Sequence, residues 1–171
     1  MSHRAQRQYC LDISKKFSQY FKNTRVLDVG SLNINGDNRR WFEQPDYTGI
    51  DVFKGRNVDI VCPAHEFKSE KQFDVVISTE CWEHDSRYEE SVRNVIRLLK
   101  SGGLFVFTCA TTGRGEHGTT QNDPKASPAT NNYYKNLTEE DFRKALDFDK
   151  TFSQYEFNVR GSDIRFWGIK K

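Results

Sequence analysis

Gly30, closing the run Arg25-Val26-Leu27-Asp28-Val29-Gly30-Ser31, and Asp51, near the end of Tyr47-Thr48-Gly49-Ile50-Asp51-Val52, are the first residues whose types and spacing suggest chemistry. A glycine directly after a buried strand lets the backbone approach a ligand that a side chain would strike. An acid at the tip of the next strand offers two accepting oxygens to a pair of ribose hydroxyls. Together they describe a pocket for a nucleoside-bearing cofactor. The pyrophosphate fingerprint G-x-G-x-x-G is missing, because Leu32 stands where its second glycine would be, and so is the phosphate loop Gly-x-x-x-x-Gly-Lys-Ser/Thr. A nucleoside without a pyrophosphate fits better than a dinucleotide.

Proton chemistry has its own candidates. Glu80, Glu83 and His84 follow the apolar run Phe73 to Ser78, and His117 sits in Gly113-Arg114-Gly115-Glu116-His117-Gly118, upstream of Tyr133-Tyr134. An imidazole titrates near neutral pH, so His117 or His84 could take a proton from an acceptor hydroxyl. Each has a plainer alternative: Glu83-His84 could organise a turn, His117 could simply be an exposed loop histidine, and Glu80 could steer an amine or be solvated.

The elements that must position these residues are legible as periodicity. Tyr9, Ile13, Phe17, Tyr20 and Phe21 recur at helical spacing and predict an amphipathic helix from Arg4 to Lys22, a core stripe of which only Tyr9 or Tyr20 could reach a pocket. Apolar runs at Arg25 to Val29, Tyr47 to Val52, Val58 to Val61, Phe73 to Ser78 and Leu104 to Cys109 suit parallel strands covered on both faces. Val92, Val95, Ile96 and Leu99 mark a helix face, which Ser101-Gly102-Gly103 should stop. Ala110 to Asn136 is rich in Gly, Thr, Asn and Pro and reads as a long loop leaving the carboxyl end of the fifth strand. Thr138 resembles a helix cap with acids behind it, and Arg160-Gly161-Ser162-Asp163 is a hairpin signal.

The order and spacing of four motifs resemble the class I S-adenosylmethionine-dependent methyltransferases, in particular the small-molecule branch of types 11 and 23. Asp28-Val29-Gly30-Ser31 resembles their first motif, Asp51 their ribose acid, Phe73 to His84 their fourth strand ending in Glu-His, and Leu98 to Phe107 the helix end, turn and fifth strand after it. The resemblance implies an α/β fold, a Rossmann-like doubly wound, mostly parallel seven-stranded sheet closed by a C-terminal antiparallel hairpin. It implies S-adenosyl-L-methionine as cofactor, with Asp28, Gly30 and Ser31 at the methionyl end, Asp51 beside Val52 at the ribose, and the backbone of Ser78, Thr79 and Glu80 near the sulfonium. Where relatives carry an acid before Ala64, this chain has Pro63, so the adenine contact falls to the backbone amides of Ala64 or His65.

Methyl transfer to O or N of a small molecule, such as a sugar, nucleotide-sugar or other metabolite, is then the expected activity. The alternatives are a module that binds the cofactor or its product without chemistry, suggested by Pro63, and a nucleic-acid methyltransferase, suggested by Arg39-Arg40. The Asn/Asp-Pro-Pro-Tyr motif of base-modifying enzymes is absent at Ser78-Thr79-Glu80-Cys81.

At 171 residues the chain is expected to form one domain, residues 1–171. Its 26 basic and 24 acidic side chains give a net charge of +2, too mild to announce a polyanion as partner, so nucleic acid is disfavoured. No run is long enough to span a bilayer and the amino terminus lacks a secretory segment, so no membrane association is expected. Cys10, Cys62, Cys81 and Cys109 form no C-x-x-C pair, which signals neither a zinc site nor a redox dithiol. A reduced, cytoplasmic setting is expected, and no metal.

Overall fold

Alternation along the central strands accounts for the layering. In the computed structural model, which describes residues 4–130 and 132–171, Leu27, Val76, Phe105 and Phe107 pack into one core, while their neighbours Val26, Val75, Ile77, Leu104 and Val106 pack into a second on the opposite face. Successive side chains of a strand point to opposite faces, so a sheet apolar at consecutive positions must be covered twice.

Seven strands form one sheet in the order β3-β2-β1-β4-β5-β7-β6. These are β1 (Arg25–Val29), β2 (Asp46–Asp51), β3 (Ile60–Val61), β4 (Phe73–Thr79), β5 (Leu99–Ala110), β6 (Phe152–Arg160) and β7 (Asp163–Lys170). Strands β1 to β5 pair in parallel, and β7 lies antiparallel between β5 and β6. This is the expected Rossmann-like sheet with its closing hairpin. Strand order reverses at β1, which pairs with both β2 and β4, and ligand crevices of open α/β sheets form at such points.

Helix α1 (Arg4–Lys16) buries Cys10 and Ile13, of which Ile13 joins the second core; α2 (Tyr88–Leu98) and α3 (Glu139–Ala145) cover the first with Val92, Val95, Leu98 and Phe142. Thr138 caps α3 in a full capping box, accepting from the Asp141 amide while Asp141 accepts from its own. A single turn, α4 (Phe148–Thr151), was not expected; Asp147 caps it. No helix among the described residues is long and apolar enough to cross a membrane.

Four expectations need correction. The first helix ends at Lys16 and yields to a 3₁₀ turn, Ser18–Tyr20. The Tyr20 hydroxyl donates to the Gly102 carbonyl at 2.6 Å and Tyr9 packs on the second core, so neither reaches the crevice. Ser101-Gly102-Gly103 does not stop α2, which ends at Leu98; Leu99 is already extended and pairs with Phe73. From Phe73 to Val75 on β4, β5 advances from Leu99 to Leu104, and Gly102 at φ +74° absorbs the excess chain. Finally, β3 is shorter than Val58 to Val61, because the Val58 amide closes a turn on the Gly55 carbonyl.

Candidate functional site

The crevice begins where β1 runs out. Gly30 has φ +77°, and the successive amides of Gly30 and Ser31 both donate to the Ile50 carbonyl, at 3.0 and 3.1 Å. That tight turn opens a cavity at the carboxyl ends of β1, β2 and β4, lined by Asp28, Gly30, Ser31, Asp51, Val52, Ala64, His65, Thr79, Glu80 and His84. Ten of the expected site residues are thus brought together.

Asp28 is buried on the cavity floor, where Oδ2 accepts from the Tyr47 hydroxyl at 2.7 Å and Oδ1 from the Asn38 side chain at 3.1 Å. Burial pushes its pKa up to about 6, with those two hydrogen bonds opposing. At the tip of β2, Asp51 Oδ2 accepts from the Leu32 amide at 3.1 Å and Oδ1 from the Phe53 amide at 2.9 Å. Burial raises its pKa too, against those amides. The loop after β3 is anchored by Asn94, whose side chain donates to the carbonyls of Ala64 and Phe67 at 2.7 and 2.9 Å.

Glu80 is not solvated. Its side chain is 2% exposed, Oε1 accepts from the Thr108 hydroxyl at 2.9 Å, and Oε2 lies 3.7 Å from the Arg114 guanidinium. Its backbone sits at φ +54°, a left-handed conformation unusual for glutamate, held by its amide bonding the Thr108 carbonyl at 2.8 Å. Arg114 also contacts Asp163 at the head of β7, so the turn after β4 is braced against the closing hairpin.

Two expected residues lie off the cavity wall. Ser78 is fully buried and its hydroxyl donates to the Val29 carbonyl at 2.9 Å, tying β4 to β1. His117 stands behind His84: the rings meet edge-on at 5.0 Å, and Tyr134 completes a trio at 4.9 Å from His117 and 5.5 Å from His84. The Nδ1–H of His117 donates to the Gly115 carbonyl at 3.1 Å, since a carbonyl can only accept. Burial lowers the pKa of both imidazoles, that of His84 to about 3, with the nearby His117 adding to the shift. A base held so far below neutrality takes a proton poorly, which counts against His84; the His117 imidazole, lowered too, stands off the cavity wall.

Beside His84, Glu83 is fully buried and its Oε1 accepts from the Ala110 amide at 3.2 Å. Burial and the nearby Glu80 push its carboxyl well above the ordinary range. Glu83 also holds the long loop, because its carbonyl accepts from the Lys135 amide at 2.9 Å. The loop from Thr111 to Leu137 has no helix or strand among the described residues and brings residues 126–130 to the cavity rim. Asn38 and Tyr47, the hydrogen-bond donors to Asp28, were missed in the sequence. The turn-rich segment Asn33-Ile34-Asn35-Gly36-Asp37 was the available signal that a loop folds over this spot.

A protein of Mycobacterium tuberculosis strain H37Rv, described as uncharacterized, is 30% identical over 83 residues, covering 48% of this chain and 28% of its own; the match thus spans under a third of that relative. The 1,6-didemethyltoxoflavin-N1-methyltransferase of Burkholderia thailandensis, solved with 1,6-didemethyltoxoflavin and S-adenosylhomocysteine, superposes with a TM-score of 0.65 at 17% identity, over 96% of this chain and 77% of that one. Phosphoethanolamine N-methyltransferase 2 of Haemonchus contortus, in complex with phosphomonomethylethanolamine and S-adenosylhomocysteine, gives 0.59 at 23% identity, over 88% of this chain and 38% of that one. At such identities the likeness is one of fold. The family model described as a methyltransferase domain matches residues 1–160, and on that match the chain belongs to the methyltransferase-domain family, of the class I S-adenosylmethionine-dependent type.

Proposed function

We propose that this protein transfers the methyl group of S-adenosyl-L-methionine to an oxygen or nitrogen of a small molecule. The observation that carries the reading is the pairing, at one switch point, of the Gly30 turn with Asp51 at the tip of the neighbouring strand. Asp51, beside Val52, would take the ribose hydroxyls, the amides of Ala64 or His65 the adenine side, and Asp28, Gly30 and Ser31 the methionyl end. Thr79 and Glu80 would lie nearest the sulfonium, with Ser78 contributing through its backbone.

In the transfer, the acceptor atom attacks the methyl carbon opposite sulfur, the carbon–sulfur bond breaks, and its electron pair returns to sulfur as a neutral thioether. Holding donor and acceptor in line supplies much of the acceleration. His117, backed by the Gly115 carbonyl, would have to receive the acceptor proton through a water, because His84 stands between it and the cavity. Glu80, already paired with Arg114, would orient the acceptor.

The nucleic-acid alternative loses its motivating feature. Arg39 is paired with Asp59 and stacks over Tyr47 at 4.4 Å, while Arg40 lies 3.8 Å from Asp37, so the two do not make an uncommitted basic patch. The two small-molecule acceptors in the neighbours' complexes support a metabolite instead. Calorimetry with S-adenosylhomocysteine, followed by methyl-transfer assays on hydroxyl- and amine-bearing metabolites, glycans and RNA, tests the proposal. Turnover of a metabolite is expected; product binding without any turnover would favour a binding module, and turnover of RNA alone would overturn the acceptor class.

A further inference from the structure

Glu83-His84, after β4, and His117, in the long loop, converge: one ligand-type atom of each lies within 4.8 Å of the other two. Two of the three are buried with unanswered polar atoms. Among the described residues, the fully buried Glu83 has no hydrogen-bond partner at Oε2, and His84, 6% exposed, has none of good geometry at either ring nitrogen, with the Tyr133 backbone nearby. Buried polar atoms are rarely left unpaired unless a ligand, ion or water completes them. The third, His117, spends Nδ1–H on the Gly115 carbonyl, which leaves the lone pair on Nε2. A backbone carbonyl behind the ring is the usual support of a metal-ligating imidazole.

We propose that Glu83, His84 and His117 bind one divalent first-row transition cation at the acceptor side of the cavity. Two imidazoles and one carboxylate suit zinc, cobalt, manganese or ferrous iron, whereas magnesium and calcium prefer oxygen ligands throughout. Tetrahedral donors about 2.1 Å from one ion stand about 3.4 Å apart, so rotamer adjustments of about 1 Å would close the observed cluster. Three protein ligands leave coordination positions open; of the three residues only His84 lines the cavity, so an acceptor would reach the ion past its ring.

The consequence for chemistry rests on the methyltransferase reading above; cation binding itself does not. With the ion in place the imidazoles are ligands rather than proton acceptors. The bound ion would act as a Lewis acid on a coordinated acceptor hydroxyl, whose proton would then leave to water. The hydroxyl oxygen then attacks the methyl carbon as the carbon–sulfur pair returns to sulfur. The acceptor class is thereby narrowed to one presenting a coordinating hydroxyl.

Titration of the chelator-stripped protein with Co²⁺ and Zn²⁺, followed by calorimetry and by the visible absorption of bound cobalt, tests the site. One cation per chain is expected, bound at least about 100-fold more weakly by His117→Ala and by Glu83→Gln, the upper end of what losing even a supporting group costs. S-adenosylhomocysteine affinity, measured on the same samples, should be unchanged in His117→Ala, and Asp51→Ala should weaken that affinity about tenfold or more while keeping the cation. Failure to bind either cation below about 1 mM, or binding that is unaltered in either ligand variant, would overturn the proposal. Cobalt binding in a protein that ignores S-adenosylhomocysteine would leave the metal site standing and remove the methyl-donor reading.

Discussion

A side-chain carbon placed on Gly30 would stand 2.6 Å from both Cβ and Sγ of Cys81, so the turn after β1 and the turn after β4 touch through a gap that only glycine leaves open. Gly30 also holds φ +77°, which side-chain-bearing residues adopt at a cost. The two turns border the same cavity.

Gly30→Val is accordingly expected to abolish cofactor binding. Thermal denaturation with S-adenosylhomocysteine should show the ligand-dependent rise of the wild type vanish in the variant, with circular dichroism verifying that the variant folds. A normal rise in a folded Gly30→Val protein would place the ligand elsewhere.

Much of the frame was legible in the residues themselves. β1 coincides with its apolar run, Thr138 caps α3, and Gly161 at φ +63° turns the closing hairpin. Each of these is set by local chemistry: a continuous apolar stretch, a hydroxyl next to acids, a glycine between alternating runs. Leu99 was misplaced because a buried leucine at a helix end serves equally well as the first residue of a strand, and only its pairing with Phe73 decides. The cofactor side of the cavity is built from strand tips and followed from the motifs. The environment of Asp28 is built by Asn38 from a loop and Tyr47 from the next strand, and the Glu83, His84 and His117 cluster by a loop folding back on β4. Such long-range meetings leave no periodic trace.

Cofactor affinity should depend on pH through Asp28. In the free protein burial holds its pKa at about 6, above the ordinary value, with Tyr47, Asn38 and Arg39 favouring the carboxylate and Asp51 opposing it. A ligand ammonium at the methionyl end favours the ionised form, so binding near pH 6 releases a proton and affinity falls as pH drops through that value. Calorimetry with S-adenosylhomocysteine from pH 5 to 8, in buffers of differing ionisation enthalpy, should show weakening below about pH 6 and a plateau above pH 7. Equal affinity at pH 5 and 7 would remove Asp28 from the methionyl end.

His117→Ala should leave S-adenosylhomocysteine affinity intact and lower turnover roughly 100-fold or more, whether the imidazole accepts a proton or holds an ion. Steady-state kinetics with an identified acceptor checks this. Wild-type turnover across pH 6 to 9 would reduce His117 to packing against His84 and Tyr134.

Thr138→Ala removes one half of a capping box at the exit of the long loop. A loss of about 1 kcal/mol is expected, read as a melting temperature lower by about 2–4 °C for a chain of this size. An unchanged melting temperature would mean that the Asp141 side chain, which bonds the Thr138 amide at 3.0 Å, caps the helix unaided.

Asp51 is proposed to hold the ribose of the methyl donor. Isothermal titration of S-adenosylhomocysteine into the wild type and into folded Asp51→Asn and Asp51→Ala tests it most directly. Asn keeps the side-chain volume and one carbonyl acceptor for the Leu32 or Phe53 amide, whereas Ala keeps neither. Hydrogen bonds to a charged group contribute roughly 1.5 to 3 kcal/mol, so the account predicts one site per chain in the wild type and affinity weakened about tenfold or more in Asp51→Ala, with Asp51→Asn between the two. Absence of binding by the wild type, or equal affinity in all three proteins, would contradict it.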